Sequence, residues 1–229
     1  MQFIFDSLLN EWLFLAHVVL AAFFSLLALR LGSFALAALI SLEAVLANLF
    51  VVKQMVLFGL QVTCSDVYAV GSLLSLSLLQ EYYGKQEAKK AAHAAFLCMV
   101  FFALMSQVHL LYRPSSFDDT HGAFDAIFTS SPRIFFASIA SYYLVQQLDM
   151  RVFAWLRMRL EGGHLALRFF MSLGLAQIID TCLFSFLGLY GIVSSMFDLI
   201  LVSLCVKWVT IACLAPFTVF SRRFARVNV

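Results

Sequence analysis

Seven long apolar runs, divided by short polar breaks, make up most of the chain. They cover residues 12–29, 33–52, 66–82, 91–112, 133–156, 166–190 and 196–220. Each run is continuous in its hydrophobicity, with none of the strict alternation of a half-buried strand, and each is too long for a barrel strand. At 1.5 Å per residue, such runs form helices that cross a hydrocarbon core about 30 Å thick. The breaks carry residues that end helices: Gly32, Gly84, RPSS at 113–116, SSP at 130–132 and EGGH at 161–164. The pattern predicts an all-α, polytopic transmembrane bundle of seven spans, forming a single domain over residues 1–229. No linker, second domain or internal repeat is visible.

Composition agrees with this pattern. Hydrophobic residues make up 63% and charged residues 12% of the chain, against about 45–50% and about 25% in soluble domains. The net charge of +2 gives no basic surface for nucleic acid. The N-terminal stretch MQFIFDSLLNEW lacks a basic leader region and carries Asp6 and Glu11, which argues against a cleaved signal peptide. Of the five cysteines, none forms a C-x-x-C pair and four lie in apolar runs; they read as small packing residues. The five histidines have no metal-ligand spacing, and phosphate-binding glycine loops are absent. The composition therefore implies no cofactor and no enzyme.

Basic residues set an expected orientation. Arg30, Lys85, Lys89, Lys90, Arg151, Arg157, Arg159, Arg168, Arg222, Arg223 and Arg226 all fall on one side of the seven spans. The other side receives Lys53, Arg113 and Arg133, together with several acids. Because cytoplasmic loops are enriched in Lys and Arg, the N-terminus is expected outside and the C-terminus in the cytoplasm.

Against this background, two charged residues stand out. Asp180 lies within LAQIIDTCLFSFLGLYG and Lys207 within LVSLCVKWVTIACLAPF. Each isolated charge at mid-membrane costs about 2.5–3.5 kcal/mol on insertion scales. Counting along the spans places the two within about 5 Å of one another in depth, on helices joined by a short loop and hence antiparallel neighbours. They are expected to face the bundle interior and to interact, either as a purely structural ion pair or as part of a binding or gating site. Other polar residues share the interior: Glu43, Asn48, Gln80, Glu81, Gln146, Gln147, Asp149 and Gln177. Gln177 lies three residues before Asp180 and shares its helix face. A lining of amides and carboxylates with one deep cation suits an organic molecule rich in hydrogen-bond donors better than an anion. Bland readings stand beside this one: Glu81 as an interfacial helix end, Gln146 and Gln147 as interhelical hydrogen-bond partners, and Arg133 as an interface anchor.

An ordered set of segments resembles the queuosine-precursor transporter family (YhhQ-type, also called the vitamin uptake transporter family). The set comprises NLFVVK at 48–53, LLQEYYGKQEAKKA at 78–91, RIFFASIASYYLVQQLDMRVFAWLR at 133–157, GGHLALR at 162–168, AQIIDT at 176–181, and Lys207 with Pro216. The resemblance implies a multi-pass inner-membrane protein that takes up queuine or a biosynthetic precursor base for tRNA modification. Asn48, Gln80, Glu81, Arg133, Gln146, Asp149, Arg168, Gln177, Asp180 and Lys207 fall on the family's polar pattern. The chain departs from it at Ser77, where many members carry Asp, and at RFF (168–170), which is more polar in the family. The first apolar run is not a constant feature of the family.

The implied ligand sharpens the candidate site. A 7-deazaguanine edge presents its N1–H and 2-amino donors side by side, and one carboxylate accepts both. Its O6 and pyrrole N–H match an amide. Asp180 with Gln177 is the first candidate reader and Glu81 the competing one, with an aromatic ring stacked on the base and Lys207 holding Asp180 ionised. The substrate-binding set expected from the sequence is therefore Asp180, Gln177, Glu81, Lys207, Gln146, Asn48, Gln80 and Asp149. Three functions compete: a stand-alone carrier for this or another purine-like base or vitamin, a substrate-capture subunit needing a separate ATPase module, and an intramembrane enzyme. The enzyme has no paired nucleophile and base to support it. The sequence leaves room for proton coupling through Asp180 or Glu81 and for a homo-oligomer. Lipid is the only other partner implied.

Overall fold

A computed structural model describes residues 2–129, 132–161, 163–191 and 196–225. Its helices are α1 (Gln2–Leu31), α2 (Ser33–Phe50), α3 (Asp66–Tyr83), α4 (Lys85–Leu110), α5 (His121–Phe128), α6 (Pro132–Arg159), α7 (Leu165–Phe184) and α8 (Met196–Phe224). Helix α7 continues into a π-helical segment, Ser185–Leu189. Each of the seven apolar runs forms one long helix or most of one.

Five of these helices, over Leu9–Leu31, Ser33–Phe50, Lys85–Leu110, Leu165–Gly188 and Leu199–Phe224, are long and apolar enough to cross a membrane. Their outward faces carry large apolar side chains, including Trp12, Phe34, Leu97, Phe101 and Phe197. Helices α3 and α6 are more polar, and for α3 packing explains why. Helix α3 packs against α1, α2, α4, α6, α7 and α8, and 14 of its 18 residues are buried. A helix enclosed by other helices has little need of an apolar face toward lipid, so it can carry small residues, here Gly71, Ser72, Ser75 and Ser77, which let neighbouring backbones approach closely.

The serines of α3 hold the centre together. Ser25 and Ser75 share a hydrogen bond of 3.0 Å, Ser75 donates to Glu43 Oε2 at 3.4 Å, and Ser72 bonds Tyr142. Glu43 fits there because Gly71 faces it. A Cβ added at Gly71 would lie 2.7 Å from Glu43 Oε1. Gly71→Ala is therefore expected to cost about 1–3 kcal/mol of stability through overpacking. A double-mutant cycle with Glu43→Ala, followed by unfolding in detergent, should show coupling of at least about 0.5 kcal/mol. Simple additivity would overturn this packing account.

Two features have no counterpart among the sequence expectations. The connection after α2 folds into an antiparallel hairpin, β1 (Gln54–Leu57) with β2 (Leu60–Thr63), pairing Leu57 with Leu60 and Gln54 with Thr63. Its two-residue turn holds Phe58 and Gly59 at φ 51° and 77°, the two positive angles of a type I′ turn. The hairpin is tied to α1, since Phe58 N–H donates to Glu11 Oε1 at 2.9 Å and Asn10 Nδ2 donates to the Val56 carbonyl at 2.9 Å. The second feature is the short helix α5. Between α3 and α4 the chain turns at Gly84 alone, with φ 91° and ψ 164°, a conformation that any Cβ would strain.

Candidate functional site

A cavity of about 370 Å³ lies between the hairpin and the ends of α2, α3, α6, α7 and α8. Each element supplies part of the wall: Ala47, Asn48 and Val51 from α2 and its end, Gln54 and Gln61–Thr63 from the hairpin, and Ser65, Asp66 and Ala69 at the start of α3. Ser138 and Tyr142 come from α6, Asp180, Thr181, Phe184 and Ser185 from α7, and Leu199, Val202, Ser203 and Lys207 from α8. Gln54 and Gln61 are exposed, so the cavity reaches the surface beside the hairpin.

The deep acid and base meet here. Lys207 Nζ lies 2.7 Å from Asp180 Oδ2, and their side chains are 7% and 18% exposed. Lys207 also donates to Thr181 Oγ1 at 3.2 Å. Adjacent helices α7 and α8 thus neutralise one another's charge within the wall of a cavity. Asn48 Oδ1 accepts from Ser138 Oγ at 2.6 Å, and its amide nitrogen donates to the Ala44 carbonyl at 3.0 Å. Where α7 widens into its π-helical segment, Ser185 Oγ is buried with no hydrogen-bond partner among the described residues. Such widened turns recur at functional sites. Tyr142 and Phe184 provide aromatic surface.

Of the eight residues expected from the sequence, the cavity brings together Asn48, Asp180 and Lys207. The other five lie outside its wall. Gln177 is buried one turn before Asp180, and Gln146 is buried on α6. Gln80 Nε2 donates to the Met150 carbonyl at 2.9 Å. Asp149 accepts from Ser77 at 3.2 Å and from Ser172. Glu81 receives a two-pronged contact from Arg168, with Nη1 to Oε2 at 2.8 Å and Nη2 to Oε1 at 2.9 Å.

This last pair belongs to a second polar layer. Glu81 is fifteen residues along α3 from Asp66, about 22 Å at 1.5 Å per residue. Arg168 is completely buried, donates through Nε to the Gly163 carbonyl at 2.9 Å, and lies over the Phe153 ring at 5.2 Å. Arg157 adds a 3.8 Å ion pair to Glu81. Tyr82 bonds Ser221 on α8 at 2.7 Å. At this end α3 is fastened to α6, α7 and α8.

The charged residue of the cavity wall that the sequence reading did not single out is Asp66. It stands at the boundary between a break and an apolar run, where an acid reads as an ordinary first-turn residue of a helix. The hairpin that encloses it places it in the cavity wall. Among the described residues, no group of His, Cys, Asp and Glu is arranged to hold a metal ion.

Comparison with known proteins agrees with this architecture. The family described as "Putative vitamin uptake transporter" matches residues 63–221. A protein of Bacillus subtilis (strain 168), "Probable queuosine precursor transporter", is 32% identical over 185 residues, covering 78% of this chain and 80% of that protein. No solved structure matches the chain. Apolar helices of membrane-crossing length, with the deep charges Glu43, Asp180 and Lys207 turned inward, mark a multi-pass cell-membrane protein. With more than two thirds of its length inside the match, the chain belongs to the vitamin uptake transporter family.

Proposed function

We propose that the chain is an uptake transporter for a 7-deazaguanine base, queuine or a queuosine precursor, bound in the cavity beside the hairpin and supplied to tRNA modification. One observation carries this reading. In a chain of this family, a carboxylate–ammonium pair and a second carboxylate line one cavity that reaches the surface. Its volume lies at the small end of the range for ligand sites, about 300–1,000 Å³, which suits a bicyclic base. Carboxylates, hydroxyls and an ammonium answer the donors and O6 of such a base, and Tyr142 or Phe184 would stack on it. Analogues lacking a matching group are rejected because the site's own groups stay unpaired.

In this reading the chain crosses the inner membrane seven times, with the N-terminus outside. The cavity then opens outward, and the Glu81–Arg168 layer closes the cytoplasmic end. Transport follows from alternating access, without a catalytic step. Asp180 and Lys207 form the centre of the binding site, with Asn48 at its edge. Gln177, Gln146, Gln80, Asp149 and Glu81 form the polar frame on which the helices move.

Purified protein in liposomes, with no other protein present, is expected to accumulate labelled 7-deazaguanine base. Accumulation would exclude a capture subunit that depends on an ATPase. Uptake unaffected by a proton uncoupler would exclude proton coupling. Failure to move or bind any such base would overturn the proposal.

A further inference from the structure

The cavity holds more negative than positive charge. Lys207 is its one cation among the described residues, and its ammonium is engaged by Asp180 at 2.7 Å and by Thr181 at 3.2 Å. Asp66 is the second carboxylate in the wall. It is 6% exposed, and among the described residues its side chain makes no ion pair and no side-chain hydrogen bond. Lys53, the basic residue nearest in sequence, is exposed at the foot of the hairpin and is not part of the lining. Lys207 acts on both aspartates but contacts only Asp180, so the lining among the described residues keeps a net negative charge, with no cation in contact with Asp66.

A buried charge without a partner is costly, and bringing an opposite charge beside it recovers that cost. Within the protein Asp66 shares only the field of Lys207, which touches Asp180 and not Asp66, and a ligand can supply a contacting partner. Resting on the reading of this cavity as the substrate site, we infer that Asp66 is a specificity-determining residue that selects bases bearing a positively charged amine over neutral ones. Asp180 is tied to Lys207 and fixes the frame of the site. Asp66 faces the same space and receives the ammonium group of the ligand. Such a charged hydrogen bond is worth more than a neutral one, and it forms only when the ligand carries the charge.

Three probes test this against the purified protein in detergent: 7-deazaguanine, its neutral 7-cyano derivative and its cationic 7-aminomethyl derivative. The unmodified protein is expected to bind the aminomethyl base about 10- to 100-fold more tightly than the cyano base. Asp66→Asn should bring the two within about threefold of each other by weakening the cationic probe far more than the cyano one, the difference being that of one charged hydrogen bond. Cyano-base binding by Asp66→Asn reports that the variant is folded, and the preference of the unmodified protein needs no variant. Equal binding of the two derivatives by the unmodified protein would overturn the inference and leave the cavity as the binding site. So would a preference that survives Asp66→Asn. If none of the three probes binds, the cavity itself is misassigned and the inference goes with it.

Discussion

Replacing Lys207 with Met is expected to abolish uptake and to lower the amount of folded protein. The reason is the partner left behind. Asp180 is 18% exposed and its Oδ2 is held by Lys207 at 2.7 Å. Removing one member of a buried pair typically costs about 3–5 kcal/mol, because the remaining charge has no compensation. In a protein of ordinary stability, about 5–15 kcal/mol, that loss is visible as reduced membrane abundance and a lower melting temperature. Replacing both residues with neutral groups of similar size separates stability from function, since a buried pair exchanged for apolar groups is often neutral in stability. Asp180→Leu with Lys207→Met should therefore recover most of the abundance while uptake stays at least about 100-fold down, the scale expected when a site loses its charged hydrogen bonds. Uptake recovering along with abundance in the double variant would make the pair purely structural.

The pair was legible in the sequence because membrane depth can be counted. Two charges in apolar runs of known length, on helices joined by a short loop, leave little choice of partner. The same counting places Gln177 beside Asp180, but it says nothing of rotation about the helix axis, and Gln177 is buried outside the cavity wall. Glu81 illustrates a different limit. A carboxylate in an apolar run looks unpaired until its partner is known, and Arg168 lies 87 residues away at the mouth of a different helix. Only the three-dimensional packing of α3 against α7 converts a candidate reader into half of an ion pair.

The hairpin was hidden for a related reason. Only Leu57 and Val62 of its strands are fully buried, so the alternation of a half-buried sheet is weak. Its turn uses Phe58 before Gly59, where Asn or Asp is the usual signal. With the hairpin unseen, Asp66 had no enclosing wall and no reason to be singled out. Helices α3 and α6 show the opposite case. Their polar residues lower their hydropathy, yet the length of the runs and the flanking glycines still mark them as helices.

Arg168→Lys is expected to loosen the closed end of the bundle while retaining the positive charge. Among its contacts with the described residues, the arginine donates twice to Glu81 and once to the Gly163 carbonyl, and lies over Phe153. A lysine keeps the charge but cannot reproduce the planar fork, so the exchange is not conservative at such a site. The loss of about 1.5–3 kcal/mol for charged hydrogen bonds shifts the balance between closed and open states by about 10- to 100-fold. Ser77 lies one turn inside Glu81 on α3 and is completely buried, so a cysteine placed there reports on opening. In an otherwise unmodified chain, Ser77→Cys should react slowly with a bulky, water-soluble maleimide added from the Arg168 side. Combined with Arg168→Lys, its labelling should accelerate at least about tenfold, as the population of open molecules rises. Uptake should fall at the same time, because a protein that spends less time closed at this end offers its cavity to the other side less often. Unchanged labelling together with unchanged uptake would mean that the Glu81–Arg168 contact does not restrain the opening of this end.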